Sequence, residues 1–361
     1  MTHSKHKKPI GVLCVDDSPL IRKIMTRMIG EHSDLKLLGT AQNGKMALEQ
    51  IAKLNPDVIT LDFEMPEMDG LETLRRIMQE MPTPVIMLSS YSVEGADLTF
   101  QALDLGAVDF IAKPHRIFSR SIEDIETQIL NKIRTASQVH VKKLDIAQIQ
   151  SALSIHHPHK ESRKSIRVRP CDYVVSIGVS TGGPQALKEI LPSIPADINA
   201  CFLIVQHMPI GFTKALANRL NDISSIDIKE AEDGDLLMGG KVFIAKGDHH
   251  LIVRGENHGW LTGLSTNGHV SSFRPSIDVL MNSTANYFED RNIGIIMTGM
   301  CADGVKGVQY IKGKNGFTIA QDEKSSVIFG MNKLAIQTGC IDEIIPLNQI
   351  IPKILEHIHY S

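Results

Sequence analysis

Two α/β domains are predicted for this chain, each built on a mostly parallel sheet with helices over both faces. Three observations carry that expectation. At 361 residues the chain exceeds what a single hydrophobic core usually supports. Apolar runs of strand length alternate with amphipathic stretches of helical period. Acidic, hydroxyl and glycine-rich residues sit at the carboxyl ends of those runs, where parallel sheets collect their ligands.

The first five strand–helix units lie between about residues 9 and 130. Ile10 to Val15 reads as a strand and Pro19 to Gly30 as a helix. Leu35 to Ala41 and Gly44 to Leu54 form the next pair, then Val58 to Leu61 with Leu71 to Glu80. Val85 to Ser89 precedes a helix near Phe100 to Leu105, and Val108 to Ile111 precedes Lys113-Pro114 and a helix from Ser121 to Arg134. Strands this short and apolar are buried on both faces.

The chemistry of that half lies at its strand ends. Asp16 and Asp17 end the first strand and Asp62 the third, while Ser89 and Lys113 end the fourth and fifth. A single acid at a strand end is as readily explained by loop solvation. Five such positions on one sheet edge argue instead for a built site. Clustered carboxylates repel unless a hard cation joins them, and Mg²⁺ is the natural choice. A lysine beside them would steady a phosphoryl group.

Residues 131–168 read as an interdomain linker, poorly periodic and polar, with His156-His157-Pro158-His159-Lys160 and Arg163-Lys164-Ser165-Ile166-Arg167 inside it. Three close histidines are a possible metal trap, but a solvated linker is the plainer reading. Val141 to Leu153 has the pattern of a helical turn or two. Such a joint leaves the domains free to dock or separate.

The second domain is expected over 169–357. Tyr173 to Ile177 is strand-like and Pro184 to Leu191 helical, with Gly178-Val179-Ser180-Thr181-Gly182-Gly183 between them. This stretch fits a G-x-S-x-G nucleophile elbow, a degenerate dinucleotide loop or a plain structural turn, and taken alone does not separate them. Phe202 to Val205 is the next strand, followed by His207, and Ile293 to Thr298 is another, followed by Asp303. A serine needs a base, and the base needs a carboxylate to fix its tautomer. Three strand ends supplying Ser180, His207 and Asp303 therefore favour acyl chemistry over a generic Rossmann-like binding domain. The order Ser, His, Asp differs from that of α/β-hydrolases. Thr181 and the turn after Thr298 are the expected oxyanion donors. Cys301, with no base of its own in view, reads as loop filling, and His249-His250 as a surface loop.

Composition narrows the class further. Net charge is −3, from 38 basic and 41 acidic residues, so a bulk-charge argument for nucleic-acid binding fails. No apolar run approaches the ~18 residues needed to span a bilayer. Residues Met1 to Pro9 are basic and histidine-rich with no signal core behind them. Five scattered cysteines fit reduced thiols. The expectation is a cytoplasmic protein, without membrane insertion and without a nucleic-acid partner.

Two sets of motifs resemble known families. Val12-Leu13-Cys14-Val15-Asp16-Asp17-Ser18, Leu61-Asp62-Phe63-Glu64-Met65-Pro66-Glu67-Met68-Asp69-Gly70 and Lys113-Pro114 resemble a response-regulator receiver domain, which is flavodoxin-like. That resemblance implies Asp62 as phosphoacceptor and Asp16, Asp17 and Asp62 as Mg²⁺ ligands. It also implies that Lys113 contacts the phosphoryl group, with Ser89 and Phe110 as switch residues. Ile177 to Pro184, Gln206 to Phe212, Phe273-Arg274-Pro275-Ser276-Ile277-Asp278, Met297 to Met300 with Asp303-Gly304, and Phe329-Gly330-Met331 resemble the CheB family of chemotaxis protein-glutamate methylesterases. The implied fold is a Rossmann-like αβα sandwich, with Ser180, His207 and Asp303 as triad and Met300 supplying an oxyanion amide near Thr181. Implied too are methyl-ester hydrolysis and glutamine deamidation on chemoreceptors, a histidine kinase as phosphodonor, and a receiver that restrains the esterase until phosphorylated. Departures from the family pattern are Cys301-Ala302, Lys246 and Asp322. The rival function is a phosphorylation-controlled binding module without turnover.

Overall fold

The computed structural model describes residues 8–90, 92–113, 122–145, 147–149, 169–256, 259–266 and 273–360. The chain divides into two compact units, Met1–Ile155 and His156–Ser361. The histidine tract at 156–160, the basic run at 163–167, Pro114 and Ser121 lie outside the described residues.

In the first unit β1 (Ile10–Val15), α1 (Pro19–Gly30), β2 (Leu35–Ala41), α2 (Gly44–Leu54), β3 (Val58–Asp62), α3 (Gly70–Glu80), β4 (Val85–Ser89), α4 (Val93–Asp104), β5 (Asp109–Ala112) and α5 (Ile122–Ala136) follow in order. The strands pair in parallel as β2-β1-β3-β4-β5, a flavodoxin-like sheet. Strands β1, β3 and β4 are almost wholly buried, which explains their unbroken apolar reading. Asn43 and Asp69 start their helices by accepting the amides of Met46 and Glu72. Helix α4 is longer than the sequence suggests. Ser92 caps it by accepting the Gly95 amide, and Gly95, a poor helix former, obscures its first turn. Of the segment 141–153, residues 147–149 are helical and 150–153 fall outside the described residues.

In the second unit β6 (Tyr173–Val179), α6 (Gly183–Ile190), β7 (Ala200–Gln206), α7 (Phe212–Ile223), β8 (Asp227–Glu230), β9 (Lys241–Ile244), β10 (His250–Glu256), β11 (Gly259–Ser265), α8 (Ile277–Phe288), β12 (Asn292–Ile296), α9 (Val305–Gly313), β13 (Phe317–Gln321), α10 (Met331–Gln337), β14 (Glu343–Ile345) and α11 (Ile350–Tyr360) follow. Seven of these strands form one parallel sheet, β14-β13-β12-β6-β7-β9-β8, the Rossmann-like sandwich expected. From β6 the chain builds outward through β7, then returns to β12 on the other side. The strand order therefore reverses between β6 and β12, which opens a crevice at their carboxyl ends.

Strands β10 and β11 pair antiparallel as a separate hairpin. His250 opens β10 and is buried, so the surface-loop expectation for His249-His250 is corrected at that residue; His249 is half-buried. Hairpin pairing placed it, and a Gly-Asp turn read in isolation does not reveal the partner strand. Strand β12 ends two residues earlier than expected because the Thr298 amide turns to the Gln321 side chain.

Phe202, fully buried on β7, is among the largest core side chains and packs the strand that carries His207. Phe202→Ala is expected to cost about 3–5 kcal/mol of the second unit's stability, from lost burial plus the cavity left behind. Urea unfolding followed by tryptophan fluorescence checks this, since Trp260 belongs to that unit.

Candidate functional site

The crevice of the second unit gathers three strand ends. In the β6–β7 register Val179 faces Gln206, so Ser180 and His207 are the next residues along two neighbouring strands. The His207 amide donates to the Val179 carbonyl at 3.1 Å, and the Ser180 amide to the Thr298 carbonyl at 3.0 Å. The Val179–Ser180 segment is thus tied to both flanking strand ends, and the Gln206 side-chain amide donates to the Ser180 carbonyl at 3.0 Å. The turn after it closes through Gly183 N–H on the Ser180 carbonyl at 2.8 Å, with Gly182 at φ 80°. That left-handed conformation favours glycine. On the other side Gly299 comes so close that a Cβ there would lie 2.8 Å from the Ser180 Cβ.

His207 donates from Nε2 to Asp303 Oδ2 at 2.8 Å, and both side chains are nearly inaccessible to solvent. The Phe273 ring stacks on the imidazole with centroids 4.3 Å apart and planes 10° apart. With Nε2 engaged, Nδ1 is the nitrogen left to act as base, and Cys301 Sγ lies 3.8 Å from it. The expectation that Cys301 has no base nearby is corrected: folding brings the thiol, five residues beyond the end of β12 and remote in sequence from His207, against the imidazole. Burial, the largest influence on His207, acts to lower its pKa. The hydrogen bonds and charges of Asp303 and Cys301 together outweigh burial and raise it to about 9. For Asp303 burial acts upward, and the hydrogen bond and charge of His207 with two backbone amides bring it below its ordinary value.

Among the described residues neither the Ser180 hydroxyl nor the Met300 amide has a hydrogen-bond partner. Met300 is partly exposed and adjoins Gly299. Thr181 is buried, and its carbonyl accepts the Thr298 hydroxyl at 2.9 Å. The Thr298 turn is held in turn by Gln321, which accepts the Thr298 amide at 2.9 Å. The crevice therefore offers a hydroxyl, an imidazole, a carboxylate and an unused amide, the components of acyl transfer.

The sequence reading missed the surroundings of Asp303. Ser276 Oγ donates to Oδ1 at 2.8 Å, Ile277 N–H to Oδ2 at 2.8 Å and Asp278 N–H to Oδ1 at 3.1 Å. The signal was present as a serine at a helix start followed by an acid in the first turn. It announces a helix, not which distant side chain the helix will hold.

In the first unit β1 and β3 are neighbours, which brings Asp16, Asp17 and Asp62 together. One oxygen from each lies within 4.8 Å of the others. Lys113 Nζ is 2.6 Å from Asp62 Oδ2 and 3.2 Å from Asp16 Oδ2. Asp16 Oδ2 is buried and has no well-directed hydrogen bond, so the lysine supplies charge without fully satisfying it. An orphaned carboxylate oxygen within an all-oxygen cluster suits a hard dication. Burial pushes the Asp62 carboxyl up to about 6, against the hydrogen bond and charge of Lys113. The Ser89 hydroxyl is buried, 2.7 Å from the Thr99 hydroxyl and 3.1 Å from the Gly95 carbonyl oxygen, so it is engaged by α4. Phe110 is buried on β5, with the Lys132 ammonium 5.6 Å from its ring centroid. Among the described residues no helix is long and apolar enough to cross a membrane.

Comparison with known proteins agrees with both units. The CheB methylesterase family model matches residues 175–354, and the response regulator receiver domain model matches residues 12–119. A protein-glutamate methylesterase/protein-glutamine glutaminase of Pyrococcus horikoshii is 43% identical over 343 residues, 95% of this chain and 92% of the relative. Its namesake in Geobacillus kaustophilus is 43% identical over 350 residues, 97% of this chain and 99% of the relative. The crystal structure of the Thermotoga maritima CheB methylesterase catalytic domain is 39% identical with a TM-score of 0.50, covering 52% of this chain and 98% of that one.

NMR titration of the His207 imidazole is expected to give a midpoint near 9 rather than the ordinary 6.5. Because the folded value is raised, the pair's contribution to stability is full below about pH 6.5 and is lost as pH rises through about 9. A midpoint at or below 6.5 would contradict the charge balance described.

Proposed function

The chain belongs to the CheB methylesterase family, with a receiver domain ahead of the esterase domain, and on that premise we propose that it hydrolyses glutamate methyl esters on chemoreceptors under phosphorylation control. It also deamidates protein glutamines. The observation that carries the reading is the buried 2.8 Å His207–Asp303 pair beside Ser180, whose hydroxyl is unbonded among the described residues.

In this reading Ser180 Oγ attacks the γ-carbonyl carbon of the ester and passes its proton to His207 Nδ1. The bond to Asp303 from Nε2 selects that nitrogen, because an ionised carboxylate keeps the Nε2 proton in place. The serine hydroxyl must take the place of Cys301 Sγ at Nδ1 as it engages. Developing negative charge on the carbonyl oxygen falls to the Met300 amide, with Thr181 nearby. Nδ1 then protonates the departing methoxide, giving methanol and a glutamyl-Ser180 ester. Water, losing a proton to Nδ1, cleaves that ester and regenerates Ser180. With a glutamine the leaving group is ammonia and the product is the same glutamate.

In the receiver unit Asp62 is the proposed phosphoacceptor, taking a phosphoryl group from a histidine kinase. Asp16, Asp17 and Asp62 would hold Mg²⁺, which when bound offsets the negative charge of the phosphoryl oxygens. Lys113 supplies a second positive charge to the same oxygens. Ser89 and Phe110 are the proposed switch pair: Ser89 leaves Thr99 and Gly95 for the phosphoryl group, and Phe110 repacks behind it.

Ser180→Ala is expected to lower methanol release from methylated receptor membranes at least about 10³-fold while circular dichroism stays unchanged. Undiminished turnover would transfer the reading to a binding module or to another nucleophile. Rate should also climb with pH toward about 9, since only neutral His207 accepts a proton. Chelating Mg²⁺ is expected to abolish stimulation by a small phosphodonor yet leave basal turnover intact, and Asp62→Asn should lose the same stimulation. Stimulation that survives both treatments would remove Asp62 from the regulatory role.

A further inference from the structure

The acid of the proposed triad is held by a second element as firmly as by the histidine. Asp303 accepts four hydrogen bonds, one from His207 and three from the first turn of α8: Ser276 Oγ, Ile277 N–H and Asp278 N–H. Ser276 is fully buried and also begins the helix, its oxygen lying 3.4 Å from the Val279 amide. The arrangement is reciprocal. Asp278 Oδ1 accepts the amides of Gly304 at 2.9 Å and Gly307 at 2.7 Å, the start of α9. Each aspartate therefore occupies the positive end of the other's helix, and each carboxylate is bonded to backbone the other one anchors. Phe273, three residues before Ser276, stacks on the imidazole. One short segment thus touches both His207 and Asp303.

We propose that Ser276 is a positioning residue for the esterase reaction, its hydroxyl fixing the Asp303 carboxylate so that it directs Nδ1 of His207 at the nucleophile. The proposal rests on the triad reading given above. A carboxylate has two oxygens and a rotatable side chain, and Oδ2 alone meets the imidazole. Bonds on Oδ1 prevent the group from turning. They also withdraw electron density from it, which tempers its pull on the Nε2 proton. Loss of the Ser276 hydroxyl has two consequences. The carboxylate gains freedom, so fewer encounters are productive. It also becomes more basic, so the imidazolium is held more strongly. The titratable groups facing this pair are Cys301 at Nδ1 and Asp278 behind Asp303. Neither is altered by the substitutions below.

The test uses the full-length chain with Mg²⁺ and a small phosphodonor, and methylated receptor membranes as substrate. Ser276→Ala is expected to lower kcat about tenfold to a hundredfold with KM held within about twofold, because the lost bond acts on the transition state and not on substrate binding. The acid limb of the pH–rate profile should move to higher pH by about half a unit. Ser276→Cys is close in shape but offers only a weak donor, and it should show the same shift with at least a severalfold loss while circular dichroism stays unchanged. Ser276→Thr retains the hydroxyl and should restore most of the rate. A Ser276→Cys enzyme with full kcat would overturn the proposal, as would a slowed enzyme whose acid limb stays in place, the mark of a merely structural role. Ser180→Ala run alongside separates the two levels: if it retains turnover, the triad reading itself fails. If it is inactive while Ser276→Cys is unimpaired, only the positioning role falls.

Discussion

One buried carboxylate organises the second unit. Asp303 is withdrawn from water, which acts to raise its pKa, yet four donors hold it in the ionised state. Burying a carboxylate in its charged form is costly unless donors replace the lost water, and here four do so. Their presence requires β12, α8, α9 and the end of β7 to be correctly assembled. The charge therefore reports on the whole crevice, and together with Cys301 it raises the basicity of the imidazole.

Both units solve the same geometric problem in the same way. A parallel sheet exposes its strand ends in a row, and a reversal of strand order leaves a gap where loops part. In the first unit the gap lies between β1 and β3, which carry Asp16 and Asp62. In the second it lies between β6 and β12, which lead to Ser180 and Asp303. The chemistries differ because the strand ends carry different groups: three carboxylates and a lysine in one, a hydroxyl and an imidazole–carboxylate pair in the other. In the first, electrostatic repulsion among acids calls for a cation. In the second, the opposite charge of an imidazolium satisfies the acid.

Small side chains permit the close approach that the second site needs. Gly182 turns the chain after Ser180, and Gly299 lets the neighbouring strand's loop pass against the serine's own Cβ. The Met300 amide follows directly, so the feature that brings the loop near also leaves a donor beside the hydroxyl. Around it, Thr298 and Gln321 bind the turn to the buried sheet.

Fold class, strand order of appearance and the strand-end placement of Asp16, Asp17, Asp62, Ser89, Lys113, Ser180 and His207 are legible in the amino-acid sequence. Burial on both sheet faces writes an unbroken apolar run, and the first polar residue after it marks the strand's end. The extent of α4, the burial of His250, the approach of Cys301 to His207 Nδ1 and the grip of Ser276 on Asp303 are not legible there. Each depends on which elements become neighbours across 10 to about 100 residues of chain, and local periodicity carries no information about that. Which groups stand at the sheet edges is written in the amino-acid order alone, because hydrophobic patterning acts locally. Which nitrogen of His207 is bound, and what holds Asp303 ionised, were settled by packing, because hydrogen-bond geometry and desolvation exist only once distant segments meet.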